Sequence, residues 1–332
     1  MRFTGCLLLI IALLTGCRHN SRDVDISGIQ SNINITRFEK ELFTTDPSAL
    51  EKMIPVWQKN YGMFFSHFCY ILRLGSPEDP GFADRLRAFA TDKVNYEIYR
   101  RTLQVFPDTA LIADQLNIAF RHYRYYFPKN AVPAVYTFVS AFNQSAITDD
   151  SLLAIGIDRY LGSNEKLYKE AGIYSYITAG MNPARIAPDC MNFWAETEFI
   201  FNDSVNNLIS QMIYNGRLIY FTKAMLPDLP DSLTVGFTGK QLDYLEKSEK
   251  SIWTYLVEHK LLFNTDHFTI NKFIQEGPFT ADFGRESPSK AAVWTGYRIT
   301  ETYMARNPDV TLEQLMQERN YLKILNQSGY NP

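Results

Sequence analysis

Residues 203–226 read DSVNNLISQMIYNGRLIYFTKAML, and the way this stretch packs decides the fold. Asp203 is placed to cap a helix N-terminus, and Pro227 follows to stop it. Val205, Leu208, Ile209, Met212, Gly216, Ile219 and Tyr220 recur at helical spacing, the stripe of a helix pressed against a core. A second row, Ile213, Leu218, Phe221 and Met225, makes the helix apolar over most of its circumference. Such a helix is buried on several sides, so other elements must pack around it. Gly216 lies mid-helix, where glycine costs about 1 kcal/mol against alanine. Close approach of another backbone, from the helix beginning near Trp294, accounts for that choice. Asn215 and Arg217 flank the glycine and are the strongly polar residues of the middle, facing either a packed neighbour or a cleft.

Composition bounds what surrounds this helix. The chain has 332 residues, 46% hydrophobic and 21% charged, as in soluble globular proteins. A net charge of −3 gives no basic excess for nucleic acid and no acidic tail. The 23 Phe and 20 Tyr are an unusually large aromatic supply, whose main use is to fill a core.

The N-terminus sets the compartment. Met1-Arg2 supplies a positive charge, Leu7 to Leu14 is an apolar run too short to span a bilayer, and Leu14-Thr15-Gly16-Cys17 resembles a bacterial lipobox. Residues 1–16 are thus expected to be a lipoprotein signal peptide, with Cys17 lipidated and 17–32 a tether. Several acyl chains on one residue anchor stably, where a single chain binds only marginally. No acidic cluster follows the cysteine, so the expected location is the periplasm-facing side of the outer or inner membrane. Cys6 leaves with the signal, and Cys69 and Cys190 sit in apolar surroundings that suit two buried thiols rather than a bridge.

Beyond the tether, 33–332 reads as one α+β domain, mostly helical. Ile33–Phe38, INITRF, alternates like an edge strand. Helices are expected from Asp46 to Leu72 with a break at Gly62, and at 82–93, 95–105 and 109–126. Val135–Phe142, Ala146–Thr148 and Leu152–Ile157 are β-branched and apolar, predicting a small sheet of about three strands. Helical patterns follow at 165–170, 173–180, 184–200, 239–262, 270–275, 290–306 and 312–326, with Thr238 and Thr311 as caps.

Catalytic spacing is sparse. Among His19, His67, His122, His259 and His267, no two lie four apart, and no His-Glu-x-x-His occurs, so neither a zinc site nor another cofactor is expected. There is no Gly-x-Ser-x-Gly elbow and no phosphate-binding glycine loop. Glu196 and Glu198, in WAETEF, diverge on a helix, which suits a solvated face better than a glycosidase pair. RHYRYYF, 121–127, either ends a helix or stacks on bases or sugars. In GIDRYLG, 156–162, a strand runs into Asp158-Arg159. A charge at the end of a buried strand needs a partner, so the pair either pins the structure or forms a ligand site.

LLTGC, GIDRYLG, NNLISQMIYNGRLIYFTKAMLPDLPDSL, SIWTYLVEHKLLF, VWTGYRITETYMARNPDVTLEQL and the final SGYNP together resemble the gliding-motility lipoprotein family of Bacteroidetes called GldB. The resemblance runs from the lipobox to the C-terminus and is strongest between 153 and 332. That family is similar, more distantly, to predicted zincin-like peptidases, in which a His-Glu-x-x-His helix precedes a Glu-Gly helix. Here the first helix carries Glu196 and Glu198 without histidine, and Asn215 precedes Gly216. The resemblance therefore implies a zincin-like body of helices around a small sheet, without the metal chemistry. It implies a non-enzymatic envelope lipoprotein alongside gliding or secretion machinery, with protein partners there. Two other readings stand beside it. One is an exported peptidase or glycosidase; the other is a glycan- or peptide-binding lipoprotein using Trp194, Trp253 or Trp294 on a concave face.

Overall fold

The computed structural model describes residues 24–332; the expected signal peptide and lipobox, with Cys17, lie outside them. The described chain is mostly helical, 60%, with one small mixed sheet. Strand β1 (Ile35–Arg37) leads into α1 (Phe38–Thr44), α2 (Leu50–Ile71), α3 (Phe82–Thr91), α4 (Lys93–Val105) and α5 (Ala110–Tyr126). Strands β2 (Ala134–Phe138), β3 (Ala146–Asp149) and β4 (Leu152–Gly156) follow. Then come α6 (Lys166–Glu170), α7 (Ser175–Thr178), α8 (Ile186–Glu198), α9 (Leu208–Met225) and α10 (Asp231–Thr234). The chain closes with α11 (Gly239–Glu258), α12 (His267–Ile274), α13 (Ala291–Arg306), α14 (Leu312–Gln317) and α15 (Tyr321–Ser328).

The sheet has four strands in the order β1-β2-β4-β3, not about three. The extra one is the alternating INITRF segment, which pairs parallel to β2. β2 and β4 are parallel, with Phe138 opposite Gly156, and β3 closes one edge antiparallel to β4. The expected strand 135–142 ends at Phe138, because residues 140–143 turn back on themselves. All five residues of β4 are buried, as a central strand covered on both faces requires.

Aromatic side chains join the first helices to the sheet. The Phe38 ring meets Trp57, Phe64, Phe65 and Phe68 at centroid distances of 5.0–5.9 Å, all edge-on. Phe64 stacks on Tyr136 of β2 at 4.6 Å. These geometries are the favoured ones for the ring quadrupole, and they show where the phenylalanines go. Gly62 kinks α2 at φ 45°, ψ −117°, and the helix then resumes.

The central helix is α9, and every residue in it except Gln211, Tyr214 and Asn215 is buried. It starts at Leu208, later than expected. Asn207 is its cap, accepting from Ser210 N–H at 3.0 Å, while Asp203–Val205 is a separate 3-10 turn and Val205 is exposed. Met225 ends it just before Pro227. α13 crosses it more intimately than any other pair of helices in the fold. A Cβ built on Gly216 would lie 2.2 Å from Gly296 C, 2.3 Å from Gly296 O and 2.4 Å from Tyr297 N. A Cβ on Gly296 would fall 1.8 Å from Met212 O. Two glycines meet at the crossing because no other side chain leaves room for the backbones to touch.

Thr238 and Thr311 both close capping boxes, with Gln241 and Gln314. The single helix expected at 312–326 is two, α14 and α15, split where Glu318 adopts an extended conformation. The end of the expected tether, from residue 26, and the first body residue, Ile33, are tied to α5. Arg121 donates to Ile29 O at 2.9 Å and Ile26 O at 2.6 Å, Arg124 to Gln30 O at 2.7 Å, and Asn117 Oδ1 accepts from Ile33 N–H at 2.7 Å. That is the use of the arginines of RHYRYYF, whose Tyr123 and Phe127 are buried. Buried apolar side chains from Ile33 to Ile324 form one contiguous cluster.

Candidate functional site

The three candidate pairs occupy three different settings. Asp158 and Arg159 lie in a 3-10 turn directly after β4. Asp158 is fully buried, and its Oδ2 accepts from Phe142 N–H at 2.7 Å and Ser140 N–H at 3.1 Å. Its Oδ1 is buried without a hydrogen-bond partner among the described residues. Burial pushes the Asp158 carboxyl up to about 7, against the pull of those two N–H groups, its own N–H and the Arg159 guanidinium. Arg159 donates to Phe142 O at 2.7 Å. Tyr168 bridges the turn, donating to Asp158 O and accepting from Leu161 N–H, both at 2.8 Å. An open depression of about 560 Å³, lined among others by Arg101, Gly162, Glu165 and Lys166, lies just beyond this turn.

Glu196 and Glu198 diverge on α8, as their spacing demands. Glu198 accepts from Asn130 Nδ2 at 2.9 Å, and burial, opposed by hydrogen bonds from Tyr123 and Asn130, raises its carboxyl above the usual carboxylate range. Glu196 keeps access to solvent. Even so, protein crowds round it closely enough that burial raises its carboxyl too, with Lys290 pulling the other way. Glu196 is thus an exposed carboxylate at the edge of packed structure. Tyr214 of α9 borders it: burial first, then the charge of Glu196, raises the Tyr214 phenol. Lys290, in a left-handed conformation at φ 55° just ahead of α13, is held by the Glu276 carboxylate. Asp189 is on the same helix as Glu196. It is paired with Arg185 at 2.5 Å and accepts from the Tyr160 hydroxyl at 3.1 Å.

Asn215 and Arg217 are held elsewhere. Asn215 donates back to Gln211 O at 2.8 Å, within its own helix. Arg217 is 2% exposed, and one of its nitrogens donates to Leu315 O at 3.0 Å, Met316 O at 3.3 Å and Glu318 O. Its guanidinium lies 4.9 Å from the Tyr321 ring centroid. It therefore takes up the orphan carbonyls at the C-terminus of α14, the role a cation plays best at that end of a helix. Burial lowers the Arg217 pKa, with Tyr321, Tyr214 and Glu318 opposing.

Of the six residues, Glu196 is exposed, Arg159, Glu198 and Asn215 are half-buried, and Asp158 and Arg217 are buried. Tyr214 and Lys290, which act on Glu196 or feel its charge, carry no site signal in the sequence; both read as helix residues, Lys290 at the start of the helix expected at 290–306. His259 stacks on Tyr255 at 4.0 Å and His267 pairs with Asn271. Among the described residues no cluster of three His, Cys, Asp or Glu could hold a metal. Cys69 and Cys190 are free, buried thiols, both pushed upward mainly by burial, Cys69 to about 12. Trp194 and Trp294 are buried, and half-buried Trp253 packs edge-on against Tyr330 at 5.2 Å.

Fold and site together describe a helical body whose conspicuous polar residues mostly hold its own backbone. No helix among the described residues is long and apolar enough to cross a membrane. The family model described as "Gliding motility protein GldB" matches residues 19–332, and the chain belongs to that family. It is a family of gliding-motility lipoproteins, not a known enzyme family. No curated protein and no solved structure matches the chain.

Proposed function

We propose that this chain is a non-enzymatic scaffold of the cell envelope, held at the membrane by lipid on Cys17 and facing the periplasm, where it works with proteins of the gliding or secretion apparatus. Residues 33–332 form its single domain, a zincin-like body that has given up metal chemistry. The observation that carries this reading is the use of the candidate groups. Arg217 is committed to three carbonyls, Glu198 to Asn130, and Gly216 to a backbone crossing. Residues committed to packing in this way are not free to bind or turn over a substrate. The mixed sheet, with antiparallel β3 at its edge and α8 packed against β3 and β4, supports the zincin-like part. Cross-linking in live cells followed by identification of the captured proteins tests the scaffold reading, and envelope motility or secretion components are the expected catch. A catalytic metal in the purified protein, together with peptide cleavage, would overturn it.

A second reading, a hydrolase or a glycan- or peptide-binding lipoprotein, is favoured by one observation: the exposed Glu196 carboxylate, raised by burial and electrostatically coupled to Tyr214 and Lys290. Peptide and glycan panels test it. It fails if Glu196→Gln and Glu198→Gln leave every detected binding or cleavage unchanged.

A further inference from the structure

Residues 140–143 turn tightly between β2 and β3. Asn143 N–H donates to Ser140 O at 3.3 Å, and Ala141 and Phe142 both adopt left-handed conformations, at φ 55° and 65°. Neither is one of the residue types that tolerate this region, and a strained pair of this kind persists only where its surroundings over-determine it. Those surroundings are built around Asp158. Its Oδ2 takes the N–H groups of Ser140 and Phe142, while Arg159 takes the Phe142 carbonyl. The Phe142 ring packs edge-on against Tyr168 at 4.9 Å, and Asn143 Nδ2 donates to Ile71 O at 2.8 Å. Gly156 completes the seat, since a Cβ there would lie 1.9 Å from Gln144 O.

The clamp has a flaw. Asp158 is fully buried, yet among the described residues its Oδ1 has no hydrogen-bond partner and neither does Arg159 Nε. A neutral acid tolerates an unpaired oxygen in such a place far better than an anion does. The same two N–H groups can donate to a protonated carboxyl through its carbonyl oxygen. An ionised one gains more by reaching water, and the turn stands between it and solvent.

We propose that the Ser140–Asn143 turn is a pH-sensitive latch, closed over neutral Asp158 and released when Asp158 ionises. Release relaxes the left-handed pair and uncovers the C-terminal ends of parallel strands β2 and β4, beside the depression lined by Arg101, Gly162 and Glu165. The charged and titratable groups around Asp158 are few. Arg159 and Tyr160 come from its own turn, Tyr168 from α6, and Glu165 just before α6 is paired with Arg101 of α4 at 2.7 Å. The loop 139–145 contributes none, and the His67–Asp149 pair lies at the far end of β3. The upward displacement of the Asp158 carboxyl to about 7 agrees with this geometry and sets the range in which the latch works.

Amide hydrogen exchange on the mature lipoprotein in detergent tests the proposal, with rates corrected for the intrinsic pH dependence of exchange. Opening that exposes a carboxyl of ordinary pKa should become about fiftyfold more frequent between pH 5 and 7 and then level off. The amides of Ser140 and Phe142 should therefore lose protection by about that factor in the wild type. In Asp158→Asn their protection should not change with pH. Equal protection at both pH values in the wild type, or the same loss in Asp158→Asn, would overturn the latch. If Asp158→Asn does not fold, the wild-type titration decides alone. A fall that levels off near pH 7 supports the latch; a flat profile, or one that is complete below pH 5, refutes it.

Discussion

Gly216→Ala is the sharpest test of the architecture, because local and tertiary physics give opposite signs. Alanine in a helix interior should stabilise by about 1 kcal/mol relative to glycine. The added methyl, however, would lie 2.2–2.4 Å from three backbone atoms of Gly296 and Tyr297. Real Cβ atoms keep roughly 3.4 Å or more from such neighbours, so α13 would have to retreat by about 1 Å along its whole contact with α9. Backbone cannot step aside as a flexible side chain can. Overpacking of this kind typically costs about 1–3 kcal/mol, and a shift shared by two central helices belongs at or above the top of that range. The net expectation is a loss of about 2 kcal/mol, and more for Gly216→Leu. Gly296→Ala should be at least as damaging, since its Cβ would reach 1.8 Å from Met212 O. The two alanines should be strongly non-additive, because the first already separates the helices that the second would push apart. Urea denaturation of each single variant and the double variant measures all of this. A Gly216→Ala protein as stable as wild type would show that the backbones do not touch there, and the account of the central crossing would be wrong.

Other predictions concern the polar groups. Arg217→Met should cost about 2–4 kcal/mol in urea denaturation, because it strands carbonyls of Leu315, Met316 and Glu318 in the core. Loss of α15 protection in hydrogen exchange should accompany it. For Asp158 the folded pKa, about 7, lies above the ordinary 3.8, so the folded state keeps a proton that the unfolded chain releases. Stability is therefore fullest below pH ~4, falls by up to roughly 4 kcal/mol as pH rises to ~7, and is flat above. Unfolding midpoints at pH 5 and 7 should differ in this direction for the wild type and much less for Asp158→Asn. Cys17→Ala should abolish incorporation of labelled fatty acid and leave the precursor unprocessed, while the melting temperature of the body stays within about 1 °C, as for a change outside the core. Label entering that variant would refute lipidation at Cys17.

What the sequence determined by itself is what short-range physics controls. Helical period, capping boxes at Thr238 and Thr311, the kink at Gly62 and the β-branched strands depend on residues a few positions apart, and a linear reading recovers them. Even the α9–α13 crossing was legible, because a glycine that helix propensity opposes has to be explained by something outside its own helix. Where local signals compete, the reading fails by small margins: Asn207 displaces Asp203 as cap, and one helix becomes two at Glu318. The roles of the candidate residues were decided only by tertiary structure. Arg217 beside Gly216 looks the same in sequence whether it faces a cleft or a helix end, and its partners lie about a hundred residues away. Glu196 and Glu198 read as two carboxylates diverging on a solvated helix face, yet half-buried Glu198 goes to Asn130 while exposed Glu196 is coupled to Tyr214 and Lys290. Desolvation and hydrogen-bond partners depend on what arrives from distant parts of the chain, and no periodicity within a segment encodes that.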